Sequence, residues 1–145
     1  MTAVHEIVSG IEFLIVTLSN DATLMSLSPG GVARSFVPVQ TPLPVCIVAF
    51  HSAIDSLTVN GVRVLVKGLY QVKASGPMTS ATAVWALASQ IDIVLGGNQG
   101  LRNIPVTGSW ILSVFRENPI QYDEDVSGIQ YTSMGGLYRV INEQM

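Results

Sequence analysis

The sequence predicts an α+β fold: a mostly antiparallel sheet of about four strands with two helices packed on one face. Three observations predict it. Apolar residues recur at three- and four-residue steps near the N-terminus and again after residue 80, as they do on one face of a helix. Between these stretches, residues 62–74 alternate in polarity, the period of a strand with unlike faces. The remaining apolar runs are short and separated by turn residues, so hairpins are favoured over long crossovers.

The first segment places Val4, Ile7, Val8, Ile11, Leu14, Ile15 and Leu18 on one helical face. Phe13 and Val16 fall off that face, which predicts contact with two neighbours. Asn20 and Asp21 interrupt the helix, Asp21 caps a short second one through Leu27, and Ser28-Pro29-Gly30-Gly31 ends it. Pro38, Pro42 and Pro44 make residues 32–44 an extended excursion, because proline lacks the ladder donor and breaks helix. Residues 45–50 form a continuous apolar run and read as a fully buried strand. Residues 52–61 read as a connection ending in the Asn60-Gly61 turn signal.

In the long strand 62–74, even positions are Val62, Val64, Val66, Gly68, Tyr70, Val72 and Ala74. Odd positions are Arg63, Leu65, Lys67, Leu69, Gln71 and Lys73. Gly68 marks a bend or bulge and Gly76-Pro77 a stop. Thr79 or Ser80 caps the next helix, whose stripe is Ala81, Val84, Ala88, Ile91 and Leu95, with Gly96-Gly97 as its C-terminal stop. Residues 98–105 read as loop, 109–117 as strand, 118–128 as an acidic loop and 129–142 as the last strand, with a bulge at Gly135-Gly136.

The length of 145 residues suits one domain spanning 1–145. Apolar residues are 48% and charged residues 12% of the chain, against about 25% charged in typical soluble domains. So little charge covers a lone monomer poorly, and an oligomer fits better. No apolar window of about 18 residues occurs, so no membrane partner is expected. Glu6 and Glu12 interrupt the first apolar stretch, unlike a secretory signal. The lone Cys46 cannot form an internal disulfide and reads as a small buried hydrophobe. A net charge of −3 with scattered basic residues implies no bulk attraction to nucleic acid.

The chain lacks phosphate-loop, dinucleotide, HExxH and CxxC motifs. His5 and His51 are not spaced as a helical metal pair, so no metal or cofactor is expected. His51 and Ser52 are adjacent in an extended segment, where neighbours point opposite ways. Asp123, Glu124 and Asp125 lack the alternating spacing of a calcium loop and read as an exposed acidic loop. Neither catalytic residues nor enzyme activity are expected.

The order of features carries a resemblance. An N-terminal helix precedes Asp21-Ala-Thr-Leu-Met-Ser-Leu-Ser-Pro-Gly-Gly-Val32 and the Pro-rich stretch. Then come the apolar strand at 45–50, a long strand ending Leu69-Tyr-Gln-Val-Lys-Ala74, a helix ending Ile91-Asp-Ile-Val-Leu-Gly-Gly97, and a last strand with Gly135-Gly-Leu-Tyr-Arg-Val140. Over nearly the whole chain this resembles the tail terminator, or tail-completion, proteins of long-tailed bacteriophages. The resemblance implies a ring, hexameric in that family, at the head-proximal end of the tail. Such a ring ends growth of the tail tube and joins the tail to the neck and head. The implied partners are further copies of the chain, the tail tube protein, the neck or head–tail connector protein and, in a contractile tail, the sheath protein. DNA would pass through the lumen without sequence-specific binding. The implied location is the virion tail or neck, with assembly in the host cytoplasm. Another neck or head-completion subunit is the nearest alternative. A small oligomeric ligand-binding domain is more distant, because a convergent polar constellation is missing from the sequence.

Contact residues are expected from physical chemistry alone. Arg34 and Phe36 pair a charged with an apolar anchor on the Pro-rich excursion. Arg63, Lys67 and Lys73 project from one face of the long strand with Leu65 and Leu69 between them. Asp123, Glu124 and Asp125 are expected at a loop tip that meets a partner or the lumen.

Overall fold

The even positions of the long strand define the core. In the computed structural model, which describes residues 3–57, 63–97, 99–106 and 109–144, Val66, Tyr70, Val72 and Ala74 are all buried. They lie on strand β3, Arg63–Pro77. Against them pack helix α1, Ala3–Ser19, and helix α3, Ala81–Val94. Ile11, Leu14 and Leu18 of α1 and Val84, Leu87, Ala88 and Ile91 of α3 supply the buried helical stripes. Of the two off-stripe residues on α1, Phe13 is buried and Val16 is exposed.

The sheet is larger than the sequence suggests. Among the described residues it has six strands: β1 (Val32–Arg34), β2 (Val45–Leu57), β3, β4 (Leu101–Val106), β5 (Ser109–Val126) and β6 (Ile129–Gln144), in the spatial order β1-β2-β3-β6-β5-β4. The added strands are β1, Val32–Arg34, and β4, Leu101–Val106, and they lie at the two ends of that order. The sequence reading of four strands is therefore wrong, and residues 101–105 of the expected loop at 98–105 are strand. Prolines near Val32 and within β4 hid both strands. An edge strand tolerates proline because one side of its ladder has no neighbour. The sheet is also mixed, since β1 runs parallel to β2, Val45–Leu57, while every other pair is antiparallel.

The second strand runs on through Leu57 instead of ending near Phe50, so most of the expected connection 52–61 is strand. The Asn60-Gly61 turn lies outside the described residues. The expected acidic loop is strand too. β5 runs Ser109–Val126 and β6 runs Ile129–Gln144, paired to the very tip. Ser127 and Gly128, both at positive φ, make the two-residue turn between them. Asp125 accepts a hydrogen bond from the Gly128 amide at 3.0 Å and closes that turn.

Bulges fall where the sequence did not put them. Register breaks at His51 and again between Ser56 and Leu57 in β2, and at Leu112 and Glu117 in β5, and stays regular through Gly68 and Gly135-Gly136. Asp21 does cap the short helix α2, Ala22–Leu27, accepting from the Leu24 amide at 2.8 Å. The same carboxylate accepts from Gln90 of α3 at 3.0 Å, which ties α2 to α3.

Gly68 and Gly10 serve Tyr70. A Cβ at Gly68 would lie 2.7 Å from the tyrosine ring, and one at Gly10 would lie 2.2 Å from its hydroxyl. The hydroxyl donates to the Ile7 carbonyl of α1 at 3.0 Å. Alanine for glycine inside a helix ordinarily stabilises by about 0.5–1 kcal/mol. At position 10 we expect the opposite sign: Gly10→Ala should lower unfolding free energy by about 1–3 kcal/mol through overpacking. Denaturant titration reads this directly, and a neutral or stabilising result would show that the slot is not tight.

Candidate assembly interface

The strand period sends Lys67, Leu69, Gln71 and Lys73 to the face away from the helices. Register places Ile47 of β2 and Leu137, Arg139 and Ile141 of β6 beside them. Arg139 organises this face. Its Nε donates to Glu117 Oε2 at 2.6 Å, its Nη2 to Oε1 at 3.0 Å, and its Nη1 to the Lys67 carbonyl at 3.0 Å. Glu117 is the extra residue of a β5 bulge, and the bulge delivers it to the guanidinium. The hydrogen bond from Arg139 holds the Glu117 carboxyl below its ordinary range. Lys73 donates to the Tyr122 hydroxyl and sits 4.9 Å from that ring's centre.

These ties change the reading of the expected contacts. Leu69 is only 7% exposed, so it is not an available contact on the monomer surface. Leu65, Lys67 and Lys73 are half-buried. Arg63 begins β3, and its side chain lies outside the described residues. Sequence reasoning missed Arg139 and Glu117. The alternation of Tyr138 and Arg139 along β6 was the available signal for the first. Nothing in the sequence marked the bulge that places the second.

The Pro-rich segment folds back across one end of the same face. Val37, Pro38 and Leu43 line a cleft of about 360 Å³ with Val45, Ile47 and Tyr131. Thr41 donates from its hydroxyl to the Pro38 carbonyl at 2.6 Å and fixes the turn. Phe36 and Val39 point outward at 87% and 93% exposure, and Arg34 is exposed at the end of β1. Asp123, Glu124 and Asp125 are all exposed, but they are paired strand residues opposite Thr132, Tyr131 and Gln130. The structure thus brings the three groups together only in part: Lys73 and Glu124 line the arm's cleft with Val37, Pro38 and Leu43, while Arg34, Phe36, Lys67, Asp123 and Asp125 lie outside it.

On the helix side a second cleft, of about 520 Å³, opens between α3 and the β5–β6 hairpin. In it the Tyr138 hydroxyl donates to Asp92 Oδ1 at 2.9 Å, and Arg116 lies 4.0 Å from the same oxygen. Burial, and then the bond to Asp92, push the Tyr138 phenol well above its ordinary range. It therefore stays a donor and pins α3 to the sheet. Burial pushes the Cys46 thiol up to about 12, which keeps it protonated and a poor nucleophile. His51 and Ser52 do not point apart as expected, because the bulge at His51 breaks the alternation. His51 Nδ1 and Ser52 Oγ lie 3.0 Å apart on an exposed strand. Among the described residues, no three His, Cys, Asp or Glu side chains gather as a metal site would require. No described helix is long and apolar enough to cross a membrane.

No protein-family model and no curated protein sequence matches the chain. Among solved structures it is similar to a chain of the virion of a native gene transfer agent particle. The likeness covers 99% of both chains with a TM-score of 0.66, at 14% sequence identity. At that identity the likeness is one of fold.

The Arg139–Glu117 pair predicts a pH signature. Glu117 titrates lower folded than unfolded, so its contribution is complete above the unfolded value and is lost as pH falls through the folded one. Melting temperatures of the wild type and Glu117→Gln should differ most near neutrality and converge on acidification. A gap that persists or widens in acid would show that the pair is not the source.

Proposed function

We propose that the chain is a structural protein of a phage-type virion, and more specifically a subunit of a closed ring at the head-proximal end of the tail. The observation that carries this reading is the fold shared, end to end, with a chain of a gene transfer agent virion. The order of sequence features shared with tail terminator proteins supplies the position and the count of six. In this role the ring stops addition of tail tube protein and presents a surface to the neck or connector protein, and to the sheath where the tail is contractile. DNA passes through it without being read. The chain works by assembly and performs no turnover.

Particles made without the protein should appear as free heads and as tails of abnormal length. The purified protein should have the mass of six copies. Normal joined particles in its absence, or a monomeric mass at micromolar concentration both alone and with tail tube protein, would contradict the reading.

A further inference from the structure

Resting on the ring reading, we infer that neighbouring copies join by strand pairing: the outer edge of β2 in one copy pairs with the outer edge of β5 in the next. Both edges lie open. β1 covers β2 only from Cys46 to Val48, and β4 covers β5 only up to Val114. Among the described residues no strand lies outside β2 at 49–54 or outside β5 at 115–126. Open edges of this length are templates for pairing with another chain, and a monomer ordinarily blunts them. Besides the bulges at His51 and Glu117, Pro119 and the charged residues of β5, these edges carry exposed apolar side chains: Phe50 and Ile54 on β2, Phe115 and Val126 on β5.

Two features choose a second copy as the occupant. The edges lie on opposite sides of one sheet, so the contact is head-to-tail and can close into a ring. The four strands β2, β3, β6 and β5 alternate in direction, so joining β5 to the next copy's β2 continues the antiparallel order without a break. Bringing the open stretches level requires a stagger of about five residues across four strands, which a closed sheet takes up by tilting its strands about 40°.

The test is amide hydrogen exchange on the assembled ring and on the same protein diluted to monomer, with the mass of each confirmed. In the ring, amides within 49–54 and 115–126 should slow relative to the monomer, and elsewhere the sheet should change little. Ile54→Lys, at a site 59% exposed in the monomer, should leave circular dichroism unchanged and weaken ring formation by about tenfold or more. A ring that forms with both edges exchanging as in the monomer, or that tolerates Ile54→Lys, would overturn the strand-pairing inference and leave the ring reading intact. Protection of these edges only when tail tube protein is added would assign them to that partner and also overturn it. Absence of any ring would remove both readings.

Discussion

The packing of Tyr70 sets the arrangement of everything else. Its ring fills a slot made by Gly68 on its own strand and Gly10 on α1, and its hydroxyl bonds the Ile7 carbonyl. Phe50 of β2 meets the same ring edge-on, 5.6 Å between centroids. One side chain therefore fixes α1 to the middle of the sheet. On the same face Tyr138, bonded to Asp92, fixes α3. With both helices committed to one face, the sheet must manage its second face and its edges without them.

The second face is managed from within. Arg139 spans three strands, reaching Glu117 on β5 and the Lys67 carbonyl on β3 from its place on β6. Lys73 on β3 reaches Tyr122 on β5. The Pro-rich arm covers the end nearest the start of β2. Long amphipathic side chains laid across their neighbours in this way bury apolar surface such as Leu69 while their charged ends remain satisfied. The edges receive no such treatment, and Phe36 and Val39 on the arm stay outside. Under the proposed function, it is other copies of the chain that complete these edges.

How legible this was depended on whether one period governed a stretch. The α1 and α3 stripes and the β3 alternation were readable because each side chain faces one consistent environment for many residues. The Asp21 cap was readable because its chemistry is local. β4 was not, since Pro105 argues for loop unless the strand is already known to be an edge. The far half of β5 was not, because acidic residues on a strand open to solvent carry no inward periodicity. Partnering across the sheet was hidden as well. Arg139 and Glu117 are 22 residues apart and meet only through a bulge that no residue type announces. The cation face was legible as a pattern, but its internal ties were not, so its lysines read as freer than they are.

The strong pKa displacements belong to groups that hold the fold together. Cys46, Tyr70 and Tyr138 are displaced upward chiefly by burial, and each sits in or against the core. Such groups stay protonated and serve as packing and as donors. Position in the particle is then the central claim, and antibody labelling of intact particles under the electron microscope tests it most directly. The account predicts label confined to the junction of head and tail. Label spread over the capsid, gathered at the distal tip of the tail, or absent from particles would contradict it.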